Sequence, residues 1–154
     1  MKNKKTISII GIILLIIVAI FLKNINQKEN NKDIEIKTNK DSIYNLFNNF
    51  PESKNIYFTS NNLSSDRSIG PTIYQIDILA ELTDDAYDNF INQVEFDNKT
   101  DFQIKVNPHN IKYNWKNIKN TSIIESKDVE DASINNIYLD EETKTIYVIA
   151  LGGN

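Results

Sequence analysis

Few residues in this chain have types that do chemistry. Cysteine is absent and His109 is the only histidine. A catalytic histidine needs a positioned carboxylate or nucleophile beside it, and a metal centre needs further ligands. His109 stands in Pro108-His109-Asn110, a turn sequence, and reads as an exposed turn residue. No G-x-S-x-G elbow, Walker loop or H-E-x-x-H pair occurs. Of the four glycines, Gly11 lies in an apolar run, Gly70 precedes Pro71, and Gly152-Gly153 come at the end, so none makes a phosphate cradle. The sequence therefore names no catalytic residue, no metal ligand and no cofactor.

Carboxylates cluster at Asp84, Asp85 and Asp88, at Asp97 and Asp101, at Asp128, Glu130 and Asp131, and at Asp140, Glu141 and Glu142. Calcium is the chemistry such oxygen donors suggest, with Asp97–Asp101 the best stretch. That stretch lacks the glycine at position 6 of a calcium loop, and Pro108 stands where the bidentate glutamate of position 12 belongs. The carboxylates read instead as solvated loops and as charges at helix starts.

The one basic, aromatic stretch is the candidate partner-binding surface. It comprises Lys112, Tyr113, Trp115, Lys116 and Lys119, with Lys99 and Lys105 upstream. Trp and Tyr dominate interface hot spots, which favours a binding role. A large aromatic is also a natural core anchor, and for Trp115 the core role is the expectation.

The elements that position these groups follow from hydrophobic period. Ile43, Leu46, Phe47 and Phe50 share one helical face, with Asp41 or Ser42 as cap and Pro51 as terminator. Asn55–Ser60 is rich in strand formers, and Asn61–Pro71 is a polar loop. In Thr72–Leu82, Tyr74, Ile76, Ile78, Ala80 and Leu82 alternate with Gln75, Asp77 and Glu81, which predicts a strand with one wet face. Thr83-Asp84-Asp85 starts a second helix with Tyr87, Phe90, Ile91 and Val94 as its buried stripe. Phe102–Val106 reads as a strand, and Ile111–Lys119 fits helix or strand equally. The acidic stretch 126–133 reads as exposed. Ile134–Leu139 and Lys144–Leu151 form a hairpin, and the second arm, apolar on both faces, belongs at the centre of the sheet. The expected class is α+β: a mainly antiparallel sheet with two helices packed on one face.

Upstream of this domain stands Thr6–Leu22, 17 residues without formal charge, 13 of them Ile, Leu, Val or Phe. As a helix it spans roughly 25 Å, the short end for a bilayer core of about 30 Å. Lys5 and Lys23 bracket it and can snorkel to the interface. A signal peptide has a shorter apolar run and paired small residues at its cleavage site; here Ala19 is alone and deep in the run. The segment reads as an uncleaved, single-pass signal-anchor. Residues 1–5 are then a short basic cytoplasmic tail, 23–40 a polar tether and 41–154 an extracytoplasmic domain. The denser lysines before the span set this orientation.

Charge divides with the same boundary. Residues 1–32 hold six lysines and one glutamate, hence +5; the remaining 11 basic and 20 acidic residues give −9. Such an acidic domain is a poor match for nucleic acid. The expected function is a membrane-anchored extracytoplasmic binding domain. Its partners are the membrane, through 6–22, and another envelope protein or ligand. The alternatives are a secreted protein with a cleaved signal, or a carboxylate-dependent enzyme of a type its motifs do not reveal.

Overall fold

Alternation along each strand decides which face of the sheet a side chain takes. The structure, a computed structural model, describes residues 35–63, 72–99, 102–127 and 132–153. The chain runs through helix α1 (Lys40–Leu46), strands β1 (Phe47–Asn48), β2 (Ser53–Asn62) and β3 (Ile73–Leu82), and helix α2 (Asp84–Ile91). Strands β4 (Phe96–Lys99) and β5 (Lys116–Ile118), a 3₁₀ turn (Thr121–Ile123), and strands β6 (Glu125–Ser126), β7 (Ser133–Asp140) and β8 (Thr145–Gly153) follow. Six strands form one sheet in the order β2-β3-β8-β7-β5-β4, with every pairing antiparallel. The short strands β1 and β6 pair separately. The domain is thus a small α+β unit with an antiparallel sheet and two helices.

On the first face, Ile56 and Phe58 of β2, Ile76, Ile78 and Ala80 of β3, Ile137 and Leu139 of β7, and Ile146 and Val148 of β8 share one core. Ile43 of α1 and Phe90 of α2 join the same cluster, with Tyr87, Ile91 and Val94 packed against it. Each fully buried aliphatic contributes about 1.5–3 kcal/mol. The doubly apolar last strand sits centrally, between β3 and β7, as its composition predicts. Thr83 caps α2, its Oγ1 accepting from the Ala86 N–H at 3.3 Å.

Four local readings change. Helix α1 is capped by Asn39, whose Oδ1 accepts from Asp41 N at 3.1 Å, and ends at Leu46 rather than running on to Phe50 before Pro51. Phe47 and Asn48 leave the helix to pair with Ser126 and Glu125, and Phe50 still reaches the core after a left-handed Asn49. Residues 102–106 are not a strand. Phe102, Ile104 and Val106 keep a two-residue apolar period, but they lay their side chains onto the sheet instead of extending its ladder. The second face of β3 is consequently not wet: Leu79 and Asp77 are both buried. In the ambiguous 111–119 stretch, only Lys116–Ile118 is strand.

The sequence reading starts the domain at Asp41, and the compact unit begins at Glu35. Lys37 is already bridged to Phe58, with backbone hydrogen bonds of 2.8 and 2.9 Å in the two directions. Thr6–Leu22 lies outside the described residues. Among the described residues no helix is long and apolar enough to cross a membrane.

Candidate binding cleft

The second face of the sheet is organised in cross-strand rows. Asn55, Glu81 and Thr145 form one row; Tyr57, Leu79 and Tyr147 form the next; Thr59, Asp77 and Ile149 a third. Segment 102–115 covers this face. Val106 and Trp115 join Leu79 and Tyr147 in a second buried cluster, flanked by Tyr57, Phe102, Ile104, Tyr113 and Tyr138. The layer is mostly aromatic: Phe102 stacks on Tyr138 at 4.3 Å and Tyr113 on Trp115 at 4.7 Å between ring centroids.

Coverage stops at the Asn55–Glu81–Thr145 row and leaves a cleft of about 240 Å³. Lys54 and Glu81 line it from the sheet, Ile111 and Tyr113 from the covering segment, and Thr143 and Thr145 from the β7–β8 hairpin. Its polar groups are unequally satisfied. Glu81 Oε2 accepts from Asn55 Nδ2 at 2.7 Å. Thr143 Oγ1 lies 2.9 Å from both of its acceptors, Asp140 Oδ1 and Thr145 Oγ1, and the Thr145 hydroxyl donates to the Thr143 carbonyl at 3.2 Å. The Tyr113 hydroxyl is buried and has no hydrogen-bond partner among the described residues. Burial and the nearby carboxylates of Glu81 and Asp140 push this phenol up to about 12, so it stays neutral through the physiological range. Burial, and then Glu81, also raises Tyr57. Tyr57 Oη lies 2.9 Å from Nε2 of His109, whose ring meets the Tyr57 ring edge-on at 5.3 Å. The turn histidine is therefore exposed but engaged.

A larger groove of about 570 Å³ lies beside α2, bordered by Asn49, Glu52, Asp85, Asn89 and Gln93. It holds no buried unpartnered side-chain atom among the described residues, and the smaller cleft carries the more specific chemistry.

The five residues of the candidate partner-binding stretch do not share one face. Tyr113 lines the cleft and Lys112 is exposed beside it. Trp115, 3% exposed, is in the core. Lys116 belongs to the opposite face, with its ammonium 5.1 Å from the Phe96 ring centroid and paired with Glu141. Lys119 is exposed just past β5. Sequence reasoning missed Glu81, Ile111, Thr143 and Thr145 as cleft residues, and no local signal marks them. Asp97 lies in β4, while Asp101 lies outside the described residues. Comparison with protein-family models, with known proteins and with solved structures found no match for this chain.

The aromatic layer has a pH consequence. Tyr113, Tyr138 and Tyr147 are all raised above the ordinary phenol value of 10.0, each first by burial. In the unfolded chain these phenols ionise first. Stability is therefore full below pH 10 and falls as pH climbs toward the folded-state values, about 12 for Tyr113. Tyrosinate absorbance and circular dichroism followed together should show a set of phenols that ionise only as the fold is lost. Ionisation of every tyrosine near pH 10 with the fold intact would contradict this burial.

Proposed function

We propose that this chain is a single-pass, membrane-anchored protein whose domain, outside the cytoplasm, acts by binding. Its partner is another envelope protein or an extracellular ligand. The observation that carries the binding reading is the cleft: a carboxylate, a buried phenol and an exposed apolar side chain converge there without a nucleophile and base in contact. His109 engages a phenol rather than a carboxylate. Ile111, 39% exposed, and Lys112 offer an apolar and a basic contact at the cleft mouth. The anchor rests on the uncharged apolar run Thr6–Leu22 and its flanking lysines.

Membrane fractionation tests the reading. Full-length protein should sediment with membranes, resist carbonate extraction, and keep Lys2 in its mature N-terminal sequence. Protease added from outside should reach exposed sites of the domain in intact cells. A mature protein beginning between Lys23 and Lys32 would replace the anchor with a cleaved signal. A domain protected from external protease would reverse the orientation.

A further inference from the structure

Among the described residues four large apolar side chains are exposed: Ile36, Leu63, Ile73 and Ile111. Ile111 belongs to the cleft mouth, and the other three lie toward the opposite end of the sheet. The Leu63 N–H donates to the Ile73 carbonyl at 2.7 Å, so these two stand side by side just beyond the Asn62–Tyr74 pair. Ile73 shares its row with Gly153, which has no side chain to lay over it, and Leu63 and Ile73 are 52% and 48% exposed. Ile36 adjoins Lys37, whose backbone pairs with Phe58 in the same half of β2. Residues 61–63, 72–75 and 151–153, which make this end, carry no formal charge. The far end is different. Glu81, Asp84, Asp85, Asp140, Glu141 and Glu142 crowd it, and Lys54 and Lys144, both paired to Asp84, offset only part of that charge. Asp128, Glu130 and Asp131 lie outside the described residues. The segment at Lys37 runs antiparallel to β2, so Glu35 leads into the domain from the Asn62 end of that strand. Between the apolar run and Glu35 stand the 12 residues 23–34, which reach roughly 20 Å as a coil and about 40 Å fully extended.

We infer that the Leu63–Ile73 end of the sheet is a second membrane contact, with its apolar side chains seated at the boundary between lipid headgroups and acyl chains. A leash this short keeps the domain at roughly millimolar effective concentration over lipid, so a few half-exposed aliphatics suffice to hold the contact. Charge favours the same pose, because the neutral end meets lipid phosphates without repulsion while the acidic end stays furthest from them. Apolar burial drives the contact, so added salt does not weaken it. The eight-residue step from Ile73 to Glu81 along β3 then holds the cleft about 25 Å further from lipid, open to partners from solvent. The inference goes beyond the anchored reading and rests on it.

The chain has no cysteine, so a single one can serve as a labelling site. Full-length protein carrying Leu63→Cys, Ile73→Cys, Ile111→Cys or Glu142→Cys, each labelled with an environment-sensitive fluorophore, is assembled into phosphatidylcholine bilayer discs. All four positions are exposed, so the substitutions should barely move the denaturation midpoint. Labels at Leu63 and Ile73 should be quenched by lipid that carries a nitroxide near the top of its acyl chain. They should also feel aqueous iodide about threefold less than labels at Ile111 and Glu142. Ile111 is the critical control, an exposed isoleucine at the acidic end, and it separates lipid contact from mere stickiness of the label. Added potassium chloride should leave the contrast unchanged. Tip labels as open to iodide as the controls, or equal lipid quenching at all four positions, would overturn the assignment. Protection from iodide without lipid quenching would overturn it too, because a second copy or another protein would then cover the tip. So would a contrast that salt abolishes. Wet tip labels on a protein that fractionates as membrane-anchored refute the lipid contact alone. Lipid-quenched tip labels on a chain whose mature form proves to be cleaved refute the anchor alone.

Discussion

Trp115→Ala should lower the stability of the domain by about 3–5 kcal/mol, a large part of the 5–15 kcal/mol that holds a typical domain together. The indole is 3% exposed. It stacks on Tyr113 at 4.7 Å and lies 6.0 Å from the Tyr147 ring, in the cluster that also holds Leu79 and Val106. The covering segment is irregular, so it has few backbone ladder bonds with which to hold its place. Side-chain burial must hold it instead, and Trp115 is the largest contributor. Denaturant unfolding of full-length protein in non-ionic detergent, followed by circular dichroism, gives the midpoint. Trp115→Phe keeps a ring against Tyr113 and should recover most of the loss. A Trp115→Ala protein as stable as its parent would mean that the second face does not depend on this cover, and would return Trp115 to the exposed binding role.

The first face was legible because its physics is local. Ile56 and Phe58, Ile76 and Ile78, and Ile146 and Val148 alternate with period two. Thr83 announces its helix with two acids behind it. The second face was not legible in the same way. Phe102, Ile104 and Val106 carry the same alternation as a strand, because any extended segment that lays one side on an apolar surface needs that period. What distinguishes a ladder from a cover is where the backbone hydrogen bonds go, and composition is silent on that. Here the Lys105 N–H donates to the Tyr147 hydroxyl at 3.0 Å, not to a neighbouring strand's carbonyl.

The cleft was hidden for a related reason. Tyr113 is visible in the sequence as part of a basic, aromatic stretch, but Glu81, Lys54 and Thr145 join it only through sheet register and the fold-back of 107–115. The Tyr57–His109 contact likewise spans 52 residues. Asparagine is abundant in this chain, and at two places it has a conformational reason. Asn49 and Asn110 sit at φ 56° and 52°, where asparagine is among the few non-glycine residues that settle readily.

Asp77→Ala should cost about 3 kcal/mol, although the sequence places this residue on an apparent solvent face. Its side chain is buried, at 1% exposure. Both oxygens accept from Gln75 Nε2, at 2.9 and 2.8 Å, and Oδ1 also accepts from the Tyr147 hydroxyl at 3.1 Å. Lys105 Nζ stands 3.6 Å from Oδ2, but the lysine is 47% exposed, so solvent screens most of that attraction. The larger loss comes through Tyr147. Its phenol is fully buried, accepts from the covering segment at Lys105 N, and without Asp77 has no acceptor for its own proton among the described residues. Asp77→Asn retains a carbonyl oxygen for that proton and should cost only about 1 kcal/mol. Tyr147→Phe removes the donor and the acceptor together. Once the hydroxyl is gone, deletion of the carboxylate should hurt less, with a coupling of about 1–2 kcal/mol in a double-mutant cycle. Hydrogen exchange should show the Lys105 and Val106 amides losing protection in Asp77→Ala before the β3–β8 ladder does. Additive single losses, with those amides as protected as in the parent, would mean that the pair does not fasten the cover to the sheet.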